Sequence, residues 1–121
     1  AADIYPARRL YTSGDIRFSK SCRQIIQEGE AALEACLGVI TAVQKDSEEL
    51  DLAETLSVYL LDAGMSVTLT AELLHFHKNT VKYRLHRISN LLGYRVDKMP
   101  ELLALYKACA VRRLMLSRDY Q

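Results

Sequence analysis

Apolar residues recur along this chain at helical spacing, and short alternation of apolar with polar residues is never sustained. After an irregular opening, "TSGD" offers Thr12 or Ser13 as a helix cap, with Asp15 in capping-box position three residues after Thr12. A helix from about Asp15 then buries Ile16, Cys22, Ile25 and Ile26. Beyond Gly29 it continues or restarts through "AALEACLGVITAV", with Gly38 as a weak point, and the acidic "KDSEELD" reads as a connection. Next, "LDLAETLSVYLLDAG" places Leu52, Leu56, Tyr59 and Leu60 on one stripe, and Gly64 falls where a C-cap glycine belongs. "SVTLTAELLHF" is a short helix capped by Ser66 or Thr68. A few turn residues lead into "HKNTVKYRLHRISNLLG", which ends on Gly93, again in C-cap position. Pro100 can open the last helix, running to about Ser117. Its apolar residues, Leu102, Leu103, Leu105, Tyr106, Cys109 and Val111, lie on more than one side, so it is buried on both faces, inside the domain or at a dimer contact. The expected fold is all-α, a helical bundle of five or six helices.

Charge changes the picture. The net charge of +1 averages unlike segments. Residues 1–72 carry six Lys/Arg against twelve Asp/Glu, residues 73–96 carry five against none, and residues 97–121 carry five against three. A local block of one sign speaks of partners rather than of fold, and here it asks for an anion. Cys22, Cys36 and Cys109 are odd in number and far apart, which disfavours a disulfide framework or a zinc knuckle and fits a reducing compartment. No apolar run approaches the roughly 18 residues of a membrane span, and no signal-peptide pattern opens the chain. The opening "AADIYPARRLY", without Met, reads as the C-terminal part of a longer protein.

On a helical projection at about 100° per residue, Leu85, Ile88 and Leu92 fall within roughly 40° of Val81 and make a narrow apolar stripe. The opposite side carries Asn79, Tyr83, His86 and Asn90, rimmed by Lys82 and Arg87. Amides, a phenol and an imidazole between cations suit a duplex: cations contact phosphates, Asn pairs with adenine, and Lys or Arg reaches guanine. The first residues of such a helix reach the base edges, here His77, Lys78 and Asn79. A short helix, a tight turn and then a basic amphipathic helix form a helix-turn-helix unit. Ala71 allows the close crossing, and Leu74, Phe76, Val81 and Leu85 close the small core between the two helices.

"TAELLHFHKNTVKYRLHRISNLLGY", preceded by "LAETLSVYLLDAG", resembles the C-terminal helix-turn-helix domain of PucR/CdaR-type transcriptional regulators over about residues 48–117. The matching positions are Thr55, Leu56, Tyr59 and Leu60; Ala71 and Leu74; then His77, Asn79, Thr80, Val81, Tyr83, Arg84, Leu85, Arg87, Ile88 and Leu91 to Gly93. It is similar, more distantly, to the helix-turn-helix of the Fis family. One departure is His75, at a turn position where many such units carry glycine and where the backbone is left-handed. The resemblance implies a bacterial, cytoplasmic, sequence-specific DNA-binding protein that regulates transcription, with an effector small molecule bound by an N-terminal region absent here. Residues 1–47 do not match the motif and read as an N-terminal helical segment, the tail of a linking region; residues 48–121 form the DNA-binding domain.

The competing chemistry is thin. His75 and His77 with His86 invite a metal, but positions two apart diverge on a helix and no acid or cysteine lies near in sequence. Ser66, Thr68 and Thr70 find no paired base or oxyanion loop and read as caps rather than nucleophiles. No cofactor and no enzymatic activity are expected. Arg84, beside the apolar stripe, is expected to pair with Glu54, Asp62 or Glu72, while Arg112 and Arg113 are solvated or add phosphate contacts. The expectation is therefore a homodimeric binder of double-stranded DNA, its dimer surface on the N-terminal helices. Residues 66–76 support a recognition helix at about 78–92 in the major groove. There Lys78, Asn79, Lys82, Tyr83 and His86 read bases, and Thr80 and Arg87 hold phosphates. A protein-interaction and oligomerisation module that has lost DNA binding is the alternative, and salt dependence separates the two.

Overall fold

The computed structural model describes residues 1–46 and 50–119. The expected segment boundary at 47–48 and the middle of the acidic connection lie outside the described residues. Every regular element described is helical. Helix α1 (Ser13–Gln27) is followed by α2 (Glu30–Leu37), a 3₁₀ turn over Gly38–Ile40 and the short α3 (Thr41–Lys45). Helix α4 (Leu52–Ser57) widens into a π turn over Val58–Asp62, and α5 (Val67–Leu74), α6 (Lys78–Leu92) and α7 (Glu101–Asp119) complete the order.

Local chemistry sets most of the ends. The Asp15 amide donates to Thr12 Oγ1 and the Thr12 amide to Asp15 Oδ2, both at 3.0 Å, so the capping box that opens α1 is complete. Ser66 Oγ accepts from the Leu69 amide at 3.1 Å and starts α5. Gly64 at φ 57° and Gly93 at φ 84° take the left-handed backbone that ends the preceding helical runs. Where one continuous helix to Gly64 was expected, the α-helix stops at Ser57. Nearly every residue from Leu52 to Leu61 is buried, and the wider π turn fits that all-round burial better than a single apolar stripe does.

Helix α7 runs through the middle of the bundle and packs on α1, α2, α4 and the π turn. Its Leu105, Ala108, Cys109, Ala110, Val111 and Leu114 are all buried inside the domain, but of the residues expected to be buried on both faces Leu103 is 62% exposed and Leu102 and Tyr106 are half-buried. The irregular opening contributes as well. Ile4 and Tyr5 lie in the same core cluster as Leu56, Leu61, Ile88 and Val111, and the Tyr5 and Tyr106 hydroxyls hydrogen bond at 2.6 Å. Ile4 and Tyr5 belong to no regular element, so helical spacing carries no sign of their burial. All three cysteines are unpaired, and burial pushes the thiols of Cys22 and Cys109 up to about 11, which keeps them unreactive.

Arg112 and Arg113 differ from expectation. Arg113 forms a bidentate pair with Asp62 and Arg112 reaches Glu54 at 3.4 Å, their side chains only 11% and 16% exposed. Both arginines face the bundle rather than solvent, so neither is placed as a free cation for phosphate.

Candidate nucleic-acid interface

Helices α5 and α6 meet through a tight turn over residues 75–77. Ala71, 5% exposed, lies between them and lets the backbones approach, while Val81 and Ile88 on the inner face of α6 are fully buried. The turn closes as a helix C-terminus does: the His75 amide donates to the Glu72 carbonyl and the Phe76 amide to the Ala71 carbonyl at 3.0 Å. His75 itself stands at φ 60°, ψ 40°, the left-handed conformation foreseen for this position. A β-carbon there costs about 1–2 kcal/mol relative to glycine.

His77 is the N-cap of α6. Its φ of −72° and ψ of 148° are extended, and its Nδ1 accepts from the Asn79 amide at 3.2 Å. One of the free N–H groups at the helix start is thereby satisfied by a ring nitrogen, and Nε2 is left as the ring's donor. The cap was not foreseen, because Ser, Thr, Asp and Asn are the usual residues in that role.

The inner stripe being buried, the outer face is left open. His77, Lys78, Asn79, Lys82, Tyr83, His86 and Asn90 are all exposed, Tyr83 at 58%. Thr80 is half-buried at the edge. A shallow hollow of ≈ 230 Å³ on this flank is lined by Tyr83, His86, Arg87, Asn90 and Leu91. The structure thus leaves exposed all of the residues expected to face a duplex except Thr80 and Arg87, which are half-buried.

Arg87 has a partner. Its Nε donates to Asp46 Oδ2 at 2.7 Å, and this hydrogen bond with the carboxylate raises its pKa. Asp46 follows α3, and nothing in the spacing along the chain pairs it with a residue 41 positions away. Arg84 departs from expectation in the other direction. Two of the three acids proposed for it, Glu54 and Asp62, are engaged by α7, and Arg84 Nη1 instead donates to Thr55 Oγ1 at 3.2 Å while its guanidinium stacks 4.3 Å over the Phe76 ring. Phe76 is 38% exposed, so it covers the turn from outside rather than closing the core between the helices as Val81 does.

Among the described residues no group of three or more His, Cys, Asp or Glu is placed to hold a metal ion, and no helix is long and apolar enough to cross a membrane. Residues 52–111 match the family described as the PucR C-terminal helix-turn-helix domain. The chain is also similar to the purine catabolism regulatory protein of Bacillus subtilis (strain 168), 36% identical over 72 residues. That match covers 60% of this chain and 13% of the relative. No solved structure matches.

Proposed function

Residues 52–111 belong to the PucR C-terminal helix-turn-helix family, and from that premise we propose that the chain binds double-stranded DNA sequence-specifically, with α6 in the major groove, to regulate transcription. One observation carries the reading. Helix α6 buries Val81 and Ile88 and turns outward a face of Lys78, Asn79, Lys82, Tyr83 and His86 that contains no acidic residue. Lys78, Asn79, Lys82, Tyr83 and His86 contact base edges, His77 donates from Nε2 at the helix start, and Thr80 and Arg87 hold phosphates at the rim. A phosphate can reach Arg87 by exchanging with Asp46. The protein acts as a homodimer, because one such unit reads only a short site and a twofold pair doubles it. The effector small molecule that the resemblance implies is proposed to act from outside residues 1–121, and the cytoplasm is the compartment in which the DNA is met.

Selection of bound fragments from random duplexes, followed by affinities at several salt concentrations, tests this. A shared sequence should emerge, and binding should weaken steeply as salt rises. Asn79→Ala should lose on the order of 1–3 kcal/mol at one base position and relax preference there. No enrichment, with salt-insensitive self-association instead, would favour an assembly module and end the DNA-binding reading.

A further inference from the structure

Among the described residues, Arg84 is a cation without an acid. It lies on the shoulder of α6, half-buried, between the turn on one side and α4 on the other. Its Nη1 donates to Thr55 Oγ1, its plane covers Phe76, and its Nε is buried with no acceptor among the described residues. The Thr55 hydroxyl passes the connection on, donating to the Asp51 carbonyl at 3.2 Å, and Asp51 in turn caps α4. A buried N–H left unmade is costly, so packing alone would favour an apolar side chain here. What the guanidinium adds is a rigid plane that stacks and donates at once, which lysine's point charge cannot reproduce.

The consequence is geometric. Asn79 lies five residues before Arg84, roughly 7.5 Å along the helix axis. A tilt of about 10° pivoting at Arg84 therefore moves Asn79 by roughly 1 Å, enough to take a base contact out of hydrogen-bonding range. We propose that Arg84 is the positioning residue of the recognition helix: by clamping Phe76 of the turn to Thr55 of α4, it sets the angle at which α6 is presented to DNA while touching neither base nor phosphate. The inference rests on the DNA-binding reading above.

The test uses the whole chain and the duplex that it selects, far below each variant's unfolding midpoint so that a loss of stability alone leaves affinity unchanged. Arg84→Met and Arg84→Lys should both weaken binding on the order of tenfold on every sequence, with the dependence of log affinity on log salt as steep as in the wild type. A slope shallower by about one would mean a phosphate contact, and a loss confined to one base position would mean base reading. Either overturns the proposal, as does wild-type affinity in Arg84→Lys, which would leave charge as the only requirement. Should the Arg84 variants fail to fold, Thr55→Val and Phe76→Leu carry the same test. Each should weaken binding severalfold at unchanged slope, and wild-type affinity in both overturns the clamp. A wild type that binds no duplex sinks both readings, whereas a wild type that binds beside a fully active Arg84→Met sinks this one alone.

Discussion

Asp62→Asn isolates the ion pair that holds α7 against the π turn. Asp62 Oδ1 and Oδ2 accept from Arg113 Nη1 at 2.9 Å and Nη2 at 2.5 Å, and the two side chains are 16% and 11% exposed. Asparagine keeps the shape but removes the anion and turns an amide donor toward a guanidinium that only donates. Removing one partner from a buried pair costs about 3–5 kcal/mol. Two neighbours soften the loss here. Glu54 Oε1 lies 4.0 Å from Arg113 Nη2, and the Ile4 carbonyl accepts from Nη1 at 2.9 Å. A loss of about 2 kcal/mol is therefore expected, a large share of the roughly 5–15 kcal/mol that holds a domain folded. Urea unfolding followed by circular dichroism should show a lower midpoint at unchanged slope, which marks a change in stability rather than in the surface exposed. Arg113→Met removes the cation instead, and the double variant should lose less than the sum of the two single variants. A cost under about 0.5 kcal/mol for Asp62→Asn, or strict additivity in the double variant, would refute the reasoning, since exposed pairs behave that way.

Three further outcomes are expected. His75→Gly relieves a left-handed β-carbon and should stabilise the fold by about 0.5 kcal/mol once the extra freedom of unfolded glycine is counted, whereas His75→Val should destabilise it by about 1–2 kcal/mol; equal unfolding midpoints for both variants would contradict this. The Thr12 amide, with Arg8 adding to it, holds the Asp15 carboxyl below its usual range. Its contribution is therefore present above the unfolded carboxylate value of about 3.9 and lost as pH falls through the lower folded value, so acid should loosen α1 less in Asp15→Asn than in the wild type, as read from unfolding midpoints at falling pH. Asp46→Asn frees Arg87 and should steepen the salt dependence of DNA binding by about one phosphate's worth; a shallower slope would assign Asp46 to orienting Arg87 instead.

Much of this fold was legible because its punctuation is local. The Thr12 and Asp15 box, the Ser66 cap, and the glycines at 64 and 93 act within a few residues of themselves, and each is found where its chemistry belongs. The left-handed residue at His75 was legible only through the resemblance, which sets it where many such units carry glycine. What escaped depends on distant parts of the chain. Arg113 meets Asp62 across 51 positions and Arg87 meets Asp46 across 41, and no periodicity carries such information. Arg84 shows the cost of reasoning from candidates alone: two of the acids near enough to answer it were already taken by α7, which left a ring and a hydroxyl. The burial of Ile4 and Tyr5 escaped because it follows from tertiary contact with α7 rather than from any pattern in the opening residues.

Early and late parts of the chain are stitched together. Ser117 Oγ donates to Asp3 Oδ1 at 3.0 Å, and Arg113 holds the carbonyl of Ile4. Residues 3–4 and 113–117 therefore meet along one seam. A short peptide bridge across that seam, with fresh ends opened at the exposed bend of Gly29, would reorder the polypeptide while leaving every residue of α6 among its present neighbours.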